Sequence, residues 1–459
     1  MYVPKILETV SKALQKMGVS AIVVGGSVRD HFLDLPIKDY DIEVYGLKTL
    51  DDLETLLSQY GTVNLVGKSF GILKFVYEGD EYDFSFPRTE TKVGVGHKGF
   101  EVHCDGTLSF KAAALRRDFT VNAIGYEIEK KEFIDPYNGQ EDIKKRCLRL
   151  IKRETFVEDP LRVYRAMQFA ARFEFTLDEV TFELCKSMVK DGHLDELPKE
   201  RVYEEFKKLL LKSKKPSIGF EMMRQLGIIE KYYPELYALI GVPQNPKWHP
   251  EGDVWTHTMM ALDQMVHLKT NDSKYDLKMM FAILCHDLGK ATHTQITEEK
   301  ITAIGHELAG IELTQEFMYR LMDEHDFIKG LFPLIEHHLA PSIYYRSKAK
   351  DKTIRRLSTK VKLEELVRVA RADFLGRTTK ASLSGIYEAG DWLLAKAKEL
   401  NVEKRAPIAL IGGKDLIALG LEPSKEFKML LGKCYEAQLE DKIFTKDEAT
   451  DYILKLIKN

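Results

Sequence analysis

The rhythm of apolar and polar positions changes near residue 150, and that change divides the chain. Before it the pattern is short and strand-like. SAIVVGG (20–26) is an apolar run closed by two glycines, which predicts a buried strand entering a tight turn. Residues 27–34 follow as a short helix. DYDIEVYG (39–46) alternates with period two, and GILKFVYEGDEYDFSFP (71–87) predicts two strands around a Gly-Asp turn. From residue 158 the period lengthens to that of helices, through DPLRVYRAMQFAARF, TFELCKSMV, ERVYEEFKKLLL and GFEMMRQLGIIEKYY. A break rich in Pro, Gly and Asn, GVPQNPKWHPEGD (241–253), precedes a second helical block that runs to about residue 400. The expected fold class is α+β. Its expected parts are a mixed α/β head (1–150), a helical neck and body (151–240), a further helical domain (241–400) and a helical tail (401–459).

Composition narrows the class of protein. Of 459 residues, 44% are hydrophobic and 30% charged, the balance of a globular chain rather than a disordered one. No apolar run approaches the roughly 20 residues of a membrane span. MYVPKILETVSKALQKMG reads as an amphipathic helix carrying Glu8 and Lys16, without the apolar core of a signal peptide. A cytoplasmic location with no membrane association is expected. Five scattered cysteines form no C-x-x-C pair, which argues against a disulfide framework and a cysteine zinc site. The net charge of −3 attracts no nucleic acid by itself, so any such binding must come from local basic patches.

In the head, the chemistry concentrates in VVGGSVRDHFLDLPIKDYDIEVYG (23–46). Asp39 and Asp41 at i and i+2 share one face of a strand, the arrangement by which paired carboxylates hold Mg²⁺ while leaving positions for phosphate and water. Gly25 and Gly26 permit close backbone approach, a helix start offers free N–H groups, and Arg29 can pair with an anion. Together they suit a nucleoside triphosphate held with metal for phosphoryl transfer.

These residues carry a resemblance. GGSVRDHFLDLPIKDYDIEV is similar to the signature of class II tRNA nucleotidyltransferases, the CCA-adding enzymes, and of the related bacterial poly(A) polymerases. VGKSFGILKF (66–75), PRTETKVGVGHKGFEV (87–102), ALRRDFTVNAIGYE (114–127), IDPYNGQEDI (134–143), EDPLRVYRAMQFAARF (158–173) and LPKERVYEEFKKLL (197–210) resemble further family blocks in order. The resemblance implies addition of C, C and A to tRNA 3′ ends from CTP and ATP, without a nucleic-acid template. Asp39 and Asp41 would be catalytic and hold Mg²⁺. Gly26, Arg29 and Arg117 would contact the triphosphate, and Asp159, Arg162 and Arg165 would serve base selection. Asp159 and Arg162, three apart, are expected on one helix face, where acceptors and a fork of donors can meet a base edge. Gln168 stands where the family often has another arginine. Asp83 and Glu43 are weaker carboxylate candidates. A CC-only or A-only enzyme and a poly(A) polymerase remain as alternatives.

Ten of the 13 histidines lie after residue 190. His257, the His286–Asp287 pair and Asp373 follow in the order H…HD…D, with His249, His306, His337 and His338 nearby. Imidazole and carboxylate suit a divalent transition metal such as Ni, Mn, Co, Fe or Zn. The order resembles the HD superfamily of metal-dependent phosphohydrolases, and NPKWHPEGDVWTHT, LCHDLGKAT and ARADFLGRT resemble the HD domain appended to one group of bacterial CCA-adding enzymes. The resemblance implies hydrolysis of 2′,3′-cyclic phosphates or phosphomonoesters, with His306 and His338 where a second metal would be held. Two other readings remain: a degenerate HD scaffold that binds RNA, and an HD hydrolase whose head only senses nucleotide. Finally, YYRSKAKDKTIRRLSTKVK (344–362) carries eight basic residues against one acid, and Arg346, Lys348, Arg355 and Arg356 are candidate RNA contacts. No obligate protein partner is evident.

Overall fold

The computed structural model describes residues 1–64, 71–92, 100–270 and 272–458. The chain divides into two compact units, Met1–Tyr232 and Tyr233–Asn459. Parts of two resemblance blocks, 66–70 and 93–99, lie outside the described residues.

The first unit is built on a seven-stranded sheet. Its strands, in chain order, are β1 (Ser20–Val24), β2 (Asp41–Tyr45), β3 (Thr62–Asn64), β4 (Ile72–Tyr77) and β5 (Asp80–Ser85). After a separate two-stranded ribbon, β6 (Arg88–Lys92) and β7 (Phe100–Cys104), the chain returns to the sheet as β8 (Gly125–Glu127) and β9 (Glu132–Ile134). Spatial order is β3-β4-β5-β2-β1-β8-β9. β1 is antiparallel to β2 and β8, while β2 runs parallel to β5. Ile22, Val23, Val24, Ile42 and Val44 are buried, as expected of apolar runs covered on both faces. The expected helix after the glycines spans Gly26–Phe32. Beyond Leu148 the unit is almost entirely helical, with Leu161–Phe173 packed against Lys199–Lys212 and Pro216–Gln225.

Among its described residues the second unit is helical apart from one short hairpin, Gln295–Ile296 with Ile301–Thr302. Its centre is a set of apolar helices, Val254–Val266, Ser273–Cys285 and Leu363–Leu375, that pack on one another. In the middle one every residue from Met279 to Cys285 is buried. A helical stretch that is apolar all round, as its last two turns are, belongs inside a helical layer, and this one ends at His286. The tail has its own small core of Leu416, Leu430, Cys434, Ile443, Ala449 and Ile453. Among the described residues no helix is long and apolar enough to cross a membrane.

Candidate active sites

The head site forms where β1 ends. Val24 is the register partner of Asp41, and Asp41 pairs in turn with Asp83 on β5. The turn after β1 therefore lies beside two carboxylates. Gly25 has φ +74°, and a Cβ there would stand 3.1 Å from Arg117 Nη1 and 3.6 Å from Asp41 Oδ2. A side chain would be strained and would crowd both groups, which is why glycine is needed. The ladder of β2 begins at Asp41, so Asp39 lies just outside the strand and is exposed. Partial desolvation raises the Asp41 pKa. Arg117 opposes that shift, while the carboxylates of Asp83, Asp39 and Glu43 add to it. Asp41, Asp39 and Asp83 thus bring oxygen atoms of like charge to the end of β1, the chemistry that suits a hard divalent cation.

Glu43 has a different job from the one its position suggested. It is buried, with Oε1 accepting from Arg116 Nη2 (2.9 Å) and Arg117 Nη2 (3.0 Å) and Oε2 from the Tyr45 hydroxyl (2.7 Å). It anchors Arg117 next to Asp41. Burial alone would raise its pKa, but the two arginines hold it below the usual value.

Arg29 is also buried. It donates to Asn122 Oδ1 (2.6 Å) and to Asp30, and its guanidinium lies 4.6 Å from the Phe173 ring centroid. Asn122 donates to Asp118, which also accepts from Arg165 Nε (2.8 Å each). Burial would raise the Asp118 pKa, yet Arg165, Asn122 and Arg162 bring it down to about 2. This Arg29–Asn122–Asp118–Arg165 chain ties the glycine turn to the helix Leu161–Phe173. Asp118 and Asn122 were missed as individual residues, although the R-R-D-F-T-x-N-A block containing them was visible.

The expected helical Asp159–Arg162 pair is corrected by the backbone. Asp159 caps the end of Arg153–Glu158 in an extended conformation (φ −119°, ψ 94°), and the next helix starts at Leu161. The cause is Pro160, whose ring disfavours helical geometry in the residue before it. Asp159 pairs with Arg201 (3.4 Å), and Arg162 donates to the backbone carbonyls of Thr155 (2.7 Å) and Arg116 (2.5 Å). Gln168 points into the interior and is buried.

The second site gathers His257, His286, Asp287 and Asp373 from three helices and their ends, and adds His306 and His338. All six are buried. His257 Nε2 lies 3.0 Å from Asp373 Oδ1, and His286 Nε2 lies 3.1 Å from Asp287 Oδ2. The other Asp287 oxygen lies 3.3 Å from His306 Nε2 and 3.7 Å from His338 Nε2. Asp287 thus stands between two clusters of ligand type, His257–His286–Asp373 and Asp287–His306–His338.

The Nδ1 atoms explain how the rings are aimed. His286, His306 and His338 each approach the carbonyl three residues earlier, Ile283, Ala303 and Ile335, at 2.6–2.7 Å. His257 Nδ1 meets Glu251 Oε1 at 2.8 Å. A carbonyl can only accept, so Nδ1 carries a proton and Nε2 is the ring atom turned toward the cluster. His286 Nε2, His306 Nε2 and both Asp287 oxygens are buried without a well-directed hydrogen bond. The two groups His257–His286–Asp373 and Asp287–His306–His338, each with its ligand atoms within 4.8 Å of one another, fit divalent metal. Burial alone would raise the pKa values of Asp287 and Asp373. His286 and Lys290 around the first, and Arg377 and His257 around the second, hold both far below the usual carboxylate range. Burial lowers His338 to about 3, so it is neutral. Gly289 allows the close packing behind the site, since a Cβ there would fall 2.0 Å from the His306 carbonyl oxygen.

Glu251, Lys290 and Arg377 were not anticipated. Glu251 binds His249 and His257 together, Lys290 Nζ lies 2.7 Å from Asp287, and Arg377 grips Asp373 at 2.6 Å. The Arg377 spacing of i+4 from Asp373 was a readable signal. The basic segment is partly committed elsewhere. Arg355 pairs with Asp441, and Arg356 pairs with Glu436 and Glu440, all in the tail. Arg346 and Lys348 are exposed, with Arg346 donating to the Ser342 carbonyl.

Comparison with known proteins gives the family of each segment. Residues 21–149 match the poly A polymerase head domain, 174–239 the probable RNA and SrmB-binding site of polymerase A, and 254–377 the HD domain. The chain is 38% identical to a multifunctional CCA protein of Mannheimia succiniciproducens, over 78% of this chain and 84% of that one. It is 39% identical to that of Methylobacillus flagellatus, over 69% and 72%. Among solved structures, the Bacillus stearothermophilus CCA-adding enzyme in complex with CTP has a TM-score of 0.70 at 19% identity, covering 100% of this chain and 98% of that one. The Thermotoga maritima CCA-adding enzyme complexed with tRNA has a TM-score of 0.61 at 21% identity, covering 99% and 96%.

Proposed function

The chain belongs to the multifunctional CCA protein family, and from that premise we propose that it adds C, C and A to tRNA 3′ ends from CTP and ATP. The observation that carries this is the convergence of Gly25, Asp41 and Arg117 at the end of β1. In the reaction the terminal RNA 3′ hydroxyl gives up its proton to solvent, its oxygen forms a bond to the α-phosphorus, and the bond from the α-phosphorus to the bridging oxygen breaks, releasing pyrophosphate. Asp39 and Asp41 would hold Mg²⁺, which would supply neutralisation of the triphosphate charge and activation of the attacking hydroxyl. Gly26 and Arg117 line the triphosphate, with Arg117 kept in place by Glu43. Arg29 braces the same turn from its buried pairs. Asp159 and Arg162 read the base edge in place of a template, exchanging their contacts to Arg201 and the two carbonyls for the nucleotide, and Arg165 supports them through Asp118.

A second activity rests on the buried His–Asp cluster. His257, His286, Asp287 and Asp373 would hold a divalent transition metal (Ni, Mn, Co, Fe or Zn), and His306 and His338, with Asp287, are the residues that would serve a second. Bound metal supplies an activated water for phosphoester hydrolysis, on 2′,3′-cyclic phosphates or phosphomonoesters. The tail and the exposed Arg346 and Lys348 contribute RNA contact, and the four-part division of the chain described from the sequence gives each task its own segment. The setting is cytoplasmic.

Three tRNA transcripts, ending before CCA, after C and after CC, test the first activity with CTP, ATP or both. Stepwise addition that stops after the terminal A is expected. Stopping at CC, or extending only the CC-ended tRNA, assigns a partial enzyme, and long A-tails assign a poly(A) polymerase. No incorporation overturns the transferase reading and leaves the hydrolase.

A further inference from the structure

A cavity of about 1020 Å³ opens over the His–Asp cluster, with Asp287, His306, His338 and Asp373 in its wall. Its volume stands at the top of the roughly 300–1,000 Å³ range of small-molecule sites, more than an isolated phosphate group uses. Away from the cluster the wall changes character. Trp248 is 48% exposed and Ile304 85% exposed, and Ile343, Tyr345 and Ile386 are exposed too, all lining this one cavity. Lys247 lies 5.0 Å from the Trp248 ring centroid, and Arg346 is part of the same wall. Large apolar side chains left open in a group mark a binding surface. An open indole with Lys247 over its ring and Arg346 elsewhere in the same wall, next to a candidate phosphoester-cleaving centre, matches a nucleotide: a π-face for the base and positive charge for the phosphates. A simple alkyl phosphate would use the cluster and leave the aromatic wall idle.

We propose that Trp248 is the stacking platform for the base of the nucleotide whose phosphoester enters the His–Asp site, with Lys247 and Arg346 meeting the phosphates upstream of it. The inference deepens the hydrolase reading above and rests on it for the identity of the cleaved group. Stacking on an indole is tolerant of sequence, since every base has a π-face. The site therefore discriminates nucleotides from other phosphoesters without selecting one base.

The test compares the metal-loaded full chain with Trp248→Ala and Trp248→Phe. Two substrates are used, 2′,3′-cyclic AMP and methyl ribofuranoside 2,3-cyclic phosphate, which lacks only the base. The quantity read is the ratio of their kcat/KM values. Trp248→Ala lowers that ratio about tenfold, and Trp248→Phe lowers it by less than about threefold, as expected for loss and retention of one stacking ring. An unchanged ratio in Trp248→Ala overturns the proposal while leaving the hydrolase reading intact. Tryptophan fluorescence with adenosine 3′-monophosphate supplies a readout independent of hydrolysis. Saturable quenching in the parent chain and its loss in Trp248→Phe support the platform. If neither cyclic phosphate is hydrolysed, the hydrolase reading fails, and quenching alone decides. Quenching that is absent, or equal in both chains, overturns the platform.

Discussion

The two sites of this chain are prepared to opposite degrees. The head site keeps its carboxylates accessible: Asp39 stands outside the sheet, Asp41 opens β2, and only their supports, Glu43, Arg29 and Asp118, are buried. The His–Asp site buries the ligands themselves and fixes four imidazoles by their Nδ1 contacts. The difference follows from what each must hold. A triphosphate and an RNA end bring most of the oxygen ligands of a Mg²⁺ site with them, so the protein supplies few and leaves room. In the proposed hydrolase the protein itself would supply the ligands of the metal, so its donors are oriented in advance and shielded from water.

The sharpest way to break this comparison is to disable one site and read the other. Asp39→Ala with Asp41→Ala should lower CMP and AMP incorporation by at least about a thousandfold, because the carboxylates that hold the cation are gone. Hydrolysis of 2′,3′-cyclic AMP by the same protein should persist. Transfer that survives the double substitution would remove Asp39 and Asp41 from the head assignment.

The converse pair is His286→Ala with Asp287→Ala. Phosphoester hydrolysis and bound transition metal, measured by elemental analysis of the purified chain, should both fall to background, while nucleotide incorporation continues. Since Asp287 stands between both clusters, its removal is expected to empty the two together. Retention of full metal content would move the metal to other residues.

How far these sites could be read in advance depends on how local they are. The glycine turn and the D-x-D lie within 20 residues, and β1 and β2 pair as neighbours, so the sequence pattern nearly contains the geometry. The histidines were identifiable by type and order, but their convergence depends on helices distant in sequence. Glu251 looked like a charged loop residue two positions from His249, and only folding shows that it is buried behind two imidazoles. Arg355 and Arg356 looked free for RNA, because their acidic partners lie 80 or more residues further on. Asp159 is the instructive failure: Pro160 was in plain view, and its restriction on the preceding residue outranks the helical period around it.

A smaller effect separates support from chemistry in the head. The Asp118 pKa falls from 3.8 to about 2 on folding, which corresponds to about 2 kcal/mol of stability from its partners. For a depressed carboxylate this contribution is complete above about pH 4 and is lost as pH falls through about 2. Asp118→Asn should therefore destabilise the first unit by about 2 kcal/mol at pH 7, measured by urea unfolding. The gap to the parent chain should close progressively as pH is lowered from about 4. A gap independent of pH would mean that packing, and not the charge on Asp118, ties Arg165 to the glycine turn.

The smallest expected effect lies in the basic segment, where the structure separates residues that looked alike. Arg355 and Arg356 are held by tail carboxylates, whereas Arg346 and Lys348 are exposed on the helix end before them. A cation already paired with a carboxylate must give up that partner to meet phosphate, so it gains little from RNA. Arg346→Ala and Lys348→Ala should each weaken tRNA binding by a few-fold and reduce the slope of log K against log salt by about one. Arg355→Ala and Arg356→Ala should leave that slope nearly unchanged and loosen the tail instead, visible as faster amide exchange in the helix Lys425–Leu439. Equal salt slopes for all four variants would show that tRNA displaces the tail carboxylates. The ion pairs seen here would then be the resting state of an RNA-binding surface.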